Sequence, residues 1–155
     1  MQLPPCGLYR TLAPLGSIPA GRLVYFHNHG DPGPGLYLPQ GWKHNRVEIS
    51  ERGSTLTDTS LVRYLEPLPP EGLYRVTEPF HCCERKCTQF EAEALVELGY
   101  NGEGQAIVFT PELVDGQVVI PTTGTAIEHS RLVSLKQLKL PVVNKAQGAG
   151  ATNLH

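Results

Sequence analysis

PPCGLYRTLAP at residues 4–14 returns as PPEGLYRVTEP at residues 69–79. Residues 47–62, VEISERGSTLTDTSLV, lie without a gap on residues 118–133, VVIPTTGTAIEHSRLV. Val47, Ile49, Gly53, Leu61 and Val62 meet identical residues at Val118, Ile120, Gly124, Leu132 and Val133. Between these blocks GPGLYLP corresponds in kind to GEGQAIVFTP: a glycine-rich turn, an apolar stretch and a proline. Each half closes on a similar phrase, RYLEPLP and LKQLKLP. Self-similarity of this order is the signature of one small unit built twice. The sequence predicts a first repeat over residues 3–69, a second over 70–141 and a C-terminal tail over 142–155. The joint, PLPPEG, is stiff and extended, because each proline fixes its own φ and restrains the residue before it.

The unit reads as all-β. GLYRTLA alternates in the manner of a half-buried strand, and GRLVYFH is rich in strand formers. NHGDPGPG is a turn by composition. TQFEAEALVELGY is read as a strand, because apolar and acidic residues alternate along most of it. With 16 Gly and 14 Pro the chain is punctuated too often for long helices, while 40% hydrophobic residues suffice for a core. Strand count, strand length and glycine placement resemble an SH3-like barrel or a small sandwich, here two in tandem.

The two GLYR motifs are offset by 65 residues and the later blocks by 71, so the second repeat gains six residues between its first two strands. HCCERKC, residues 81–87, lies in that gain and is expected on a loop outside both cores. Thiolates and imidazoles suit zinc. Cys83 and Cys87 have a workable spacing, His81 or Cys82 can be a third ligand, and Cys6 a fourth if the starts of the two repeats meet. Adjacent Cys82 and Cys83 are hard to aim at one ion. A disulfide and free, partly buried thiols are the competing readings. A catalytic cysteine activated by Arg85 and Lys86 would need a held base; His81 is in range, but only Glu84 could orient it.

Two other segments carry chemistry. In FHNHG, His27 and His29 point to one side of a strand, and Asp31 can join them at an ion; the plainer reading is a polar turn. Trp42 stands beside the basic residues Lys43, His44 and Arg46. Trp42, Lys43 and Arg46 form a candidate ligand groove, or Trp42 simply closes one end of its own barrel.

The halves divided after Pro69 carry six Lys/Arg against five Asp/Glu and seven against ten. Neither is a basic platform, which argues against a nucleic-acid partner. No apolar run reaches membrane-spanning length, and MQLPPCGLYR lacks the basic start and apolar stretch of a secretory leader. The sequence therefore points to the cytoplasm, where a cysteine cluster leans towards metal or free thiols. The expected function is a non-enzymatic binding or structural module acting through protein–protein contacts or self-assembly. The alternative is a zinc-dependent enzyme built on FHNHGD or HCCERKC. The tail is expected to dock on a β-surface of its own or another subunit.

Overall fold

A computed structural model describes residues 2–30 and 32–143. The first sheet is built from β1 (Gly7–Thr11), β2 (Leu23–His27), β3 (Gly35–Lys43), β4 (Arg46–Thr55) and, after the 3₁₀ turn η1 (Thr59–Tyr64), β5 (Leu65–Pro67). Its order is β4-β3-β2-β1-β5, so the last strand returns beside the first. The chain then forms β6 (Gly72–Val76), the short pair β7 (Phe80–His81) and β8 (Gln89–Phe90), β9 (Leu95–Tyr100), β10 (Ala106–Phe109), the ribbon β11 (Glu112–Val114) and β12 (Gln117–Val119), β13 (Thr125–Ala126), the 3₁₀ turn η2 (His129–Ser134) and β14 (Leu135–Gln137). The second large sheet runs β13-β10-β9-β6-β14. The fold is thus all-β, with open sheets; no barrel closes among the described residues.

The two sheets follow one course. Tyr9 and Tyr74 are buried, and each hydroxyl donates to a carbonyl four residues upstream, Pro5 O at 2.6 Å and Pro70 O at 2.5 Å. Leu8 pairs with Tyr25 as Leu73 pairs with Glu97. β1 corresponds to β6 at an offset of 65 and β2 to β9 at 72, so the second sheet gains seven residues here, one more than the sequence alignment indicates. The gap-free match also slips. The turns η1 and η2 begin after Asp58 and Glu128, an offset of 70, which sets Val62 against Leu132 and not Val133. Burial explains the slip: Leu132 is in the core, whereas Val133 is 85% exposed.

Prolines account for the main difference. β3 and β4 form one long hairpin, with Pro39 tolerated where the register shifts. In the second sheet Pro111 and Pro121 lack the N–H a ladder needs, and the corresponding hairpin breaks into β10, the β11–β12 ribbon and β13. Both hairpins turn on two residues with positive φ, His44 and Asn45 (51° and 66°) and Asp115 and Gly116 (51° and 80°), the geometry that matches strand twist. TQFEAEALVELGY is likewise two strands, β8 and β9, divided by a bend at Glu93 (φ 68°).

Two clusters make the core. One is internal to the first sheet, around Tyr9, Val24, Phe26, Leu36 and Leu65. The other gathers Val76, Phe80, Phe90, Val96, Leu98, Val108 and Ile127 from the second, and takes Leu23 from the first. Leu8 and Val47 pack against it.

Gly53 and Gly124 hold corresponding places beneath an aromatic ring. A Cβ on Gly53 would lie 2.6 Å from Leu36 O and from the Tyr37 ring; one on Gly124 would lie 2.8 Å from Val108 O and from the Phe109 ring. Gly53→Ala and Gly124→Ala are each expected to cost about 1–3 kcal/mol, read as a lower urea midpoint with an unchanged slope. An unperturbed midpoint in either variant would contradict this packing.

Candidate metal centres and the hairpin dock

The β3–β4 hairpin carries the residues expected to line a ligand groove, and the fold spends most of them on the second sheet. The Trp42 indole N–H donates to Tyr100 O at 2.8 Å. Trp42 therefore reaches across to the second sheet and does not close its own unit. Its ring, 45% exposed, divides two open grooves of about 530 and 540 Å3. Tyr100, Ile107 and Phe109 line one, and Ile18, Leu23 and Leu38 line the other. Lys43 is exposed and pairs with Arg46 in the ladder. Arg46 lies away from both grooves and donates to Glu71 O at 3.0 Å.

The tip itself is seated on β9. Asn45 Nδ2 donates to Glu97 Oε1 at 3.1 Å and to Pro121 O at 2.9 Å. Val47 N donates to the Glu71 carboxylate at 3.1 Å. Gly99 is required: a Cβ there would stand 2.8 Å from Asn45 O. Burial pushes the Glu71 carboxyl above its ordinary range, opposed by the Val47 N–H and by Arg46. Burial also pushes the Tyr74 hydroxyl up to about 12 and raises Tyr100, so both stay protonated as donors to Pro70 O and Pro69 O.

The cysteines form two groups. Cys82, Cys83 and Cys87 bring their sulfurs within 4.8 Å of one another. Adjacent Cys82 and Cys83 do converge, with Sγ atoms 3.6 Å apart. In a tetrahedron with Zn–S near 2.3 Å, sulfurs stand about 3.8 Å apart, so the Cys82–Cys83 pair has ligand spacing, and the three sulfurs are close enough to hold a metal ion. The backbone makes the convergence: Lys86, at φ 57°, donates its N–H to Cys83 O, folding residues 83–87 into a tight knuckle. Thr88 N donates to Cys82 Sγ at 3.3 Å. Hydrogen bonds from the Cys82 thiol and then the Arg85 N–H lower the Cys83 thiol, while the charge of Cys83 raises Cys87.

Two expectations change, and of the competing readings the disulfide falls away. Cys82 is not outside the core: it is 3% exposed and packs in the second cluster, with Cys83 against it. All four cysteines are free thiols, with no disulfide. Cys6 and His81 do not join the three sulfurs; Cys6 lies with His27 and His29. That second group joins the start of β1 to the end of β2; the sequence alone paired His27 with His29 and set Cys6 with HCCERKC. Pairing of Gly7 with Phe26 is what brings them together. Asp31 lies outside the described residues.

Comparison with family models, curated proteins and solved structures finds no match to this chain. Among the described residues no helix is long and apolar enough to cross a membrane.

Two outcomes follow. Glu71 holds its proton more tightly when folded, so its contribution to stability is full below the ordinary glutamate pKa and is lost as pH rises through the raised one. Glu71→Gln is expected to flatten the pH dependence of the urea midpoint over that window; an identical profile would refute the raised value. At neutral pH, iodoacetamide should label Cys83 before Cys87 in peptide mapping, and zinc should protect both; faster labelling of Cys87 would contradict the thiol order.

Proposed function

We propose that the protein is a non-catalytic module of two duplicated, SH3-like units that assembles with a second copy of itself through the β11–β12 hairpin. The reading rests on one contrast. The β3–β4 hairpin tip is spent inside the chain, where Trp42 and Val47 meet the second sheet. The corresponding tip, β11–β12, has Leu113 where the first has Trp42 and Val118 where it has Val47, and these are 76% and 63% exposed. Val114 and Val119 are exposed beside them. A two-stranded ribbon with aliphatics on both faces is marginal alone, and its edges invite pairing. A second copy presents the same aliphatics about a two-fold axis, as an isologous interface requires, and apolar patches of this kind mark interaction sites.

The duplication is supported by the common strand order and by the paired tyrosine and glycine positions of the two sheets. A zinc-class ion at Cys82, Cys83 and Cys87 has a structural part in this reading, because one ligand is a core residue and such ions order short loops.

Sedimentation of the full chain tests the assembly. The wild type is expected to be a dimer, and Leu113→Asp with Val118→Asp a monomer with an unchanged circular dichroism spectrum. Loss of an anchor of about 2 kcal/mol or more would weaken association at least ~30-fold. A monomeric wild type, or a variant that keeps its mass, would overturn the reading.

A further inference from the structure

The two sheets carry one surface position with two different contents. Pairing register aligns Tyr25 with Glu97, hence His27 with Gly99 and His29 with Asn101. Cys6 precedes Gly7 as Glu71 precedes Gly72. In the second sheet this position receives the hairpin tip: Glu71 accepts from Val47 N, and the bare Gly99 admits the Asn45 carbonyl. In the first sheet a histidine replaces that glycine. An imidazole there fills the space a docked backbone would need, so the first unit cannot receive a hairpin in the same pose. What it presents instead is one thiol and two imidazoles.

We infer that Cys6, His27 and His29 form a three-ligand site for a zinc-class divalent ion, with the fourth position open to a small Lewis base such as an imidazole. Cys6 Sγ lies 3.8 Å from Nδ1 of His27 and 3.8 Å from Nδ1 of His29. Bonds of about 2.3 Å to sulfur and 2.0–2.1 Å to nitrogen at tetrahedral angles put those atoms about 3.5–3.6 Å apart, so closure takes a few tenths of an ångström. The same ring atom of both histidines faces the sulfur, and the rings lie 4.0 Å apart between centroids.

Asn28 prepares the set. Its backbone N–H donates to Cys6 Sγ at 3.3 Å, an interaction that strengthens when the thiol becomes a thiolate. Its side-chain oxygen accepts from the Cys6 thiol at 3.2 Å and lies 2.8 Å from His29 Nδ1. An arriving ion displaces the thiol proton to solvent, and His29 shifts its proton from Nδ1 to Nε2, which frees Nδ1 from Asn28 to ligate. Asn28 Nδ2 is anchored on Pro4 O at 3.1 Å, which fixes the segment before Cys6. Among the described residues no fourth donor joins the group. Cys6 and His27 are half-buried and His29 is exposed, which leaves a path for a ligand. Sites with three protein ligands and one free position are those that bind exchangeable ligands.

Cobalt titration of the reduced full chain tests the site. Cobalt gives a thiolate charge-transfer band in the near ultraviolet and tetrahedral bands in the visible. Cys6→Ser and His29→Gln are each expected to lower bound cobalt by one equivalent per chain. Cys87→Ser should leave this equivalent in place, and added imidazole should shift its visible bands. His29 is exposed, so His29→Gln carries the test even if Cys6→Ser perturbs folding. Unchanged stoichiometry and spectrum in both variants would overturn the site. A visible spectrum indifferent to imidazole in Cys87→Ser would overturn the open position.

Discussion

The seating of the β3–β4 tip on β9 is the contact on which the rest of the molecule depends. It places two hydrogen bonds from Asn45, one of them to a carboxylate that is almost wholly removed from water. A buried carboxylate without such a donor would be costly. The same contact brings Val47 against the second core and lays Trp42 across the junction. Leu23 N donates to Gly102 O nearby, and the Arg10 side chain donates through Nε to Glu103 O, so one backbone and one side-chain donor of the first sheet are satisfied by a loop of the other. The two sheets therefore share a core while keeping their own ladders.

The two five-stranded sheets have comparable strand orders, and single residues decide what each surface can receive. Gly99 admits a main chain within hydrogen-bonding distance of its neighbours, and His27 in the corresponding place does not. Pro111 and Pro121 act in the same way on the hairpins. Without their N–H groups the second hairpin cannot stay in the ladder of its sheet and stands out as a ribbon. The aliphatics of that ribbon lie outside both core clusters.

The cysteine-rich loop shows why burial and ligation are compatible. Cys82 is small and apolar enough to pack beside Phe80 and Phe90, whose rings stack at 4.9 Å. Its sulfur still faces Cys83 at 3.6 Å, and the turn at Lys86 brings Cys87 back towards both. An ion held there would be tied directly to that core. Cys83 is half-buried and Cys87 is exposed, which leaves that end of the loop accessible.

The β class and the strand that begins at each GLYR were legible in the sequence, because alternation and glycine or proline punctuation are local properties of the chain. So was the chemistry of HCCERKC and FHNHG as ligand-rich segments. The grouping of those ligands was not. Cys6 lies 21 residues from His27 in the chain, and only the pairing of β1 with β2 sets the thiol against the imidazoles. Nor could the sequence show that Trp42 serves the second sheet, or that the match of residues 47–62 slips by one before η2. Identity of letters fixed the alignment there, whereas burial of Leu132 and exposure of Val133 decide the true register. Local residue types set what each strand and loop can do; which of them meet is settled by ladders and cores that close across the whole chain.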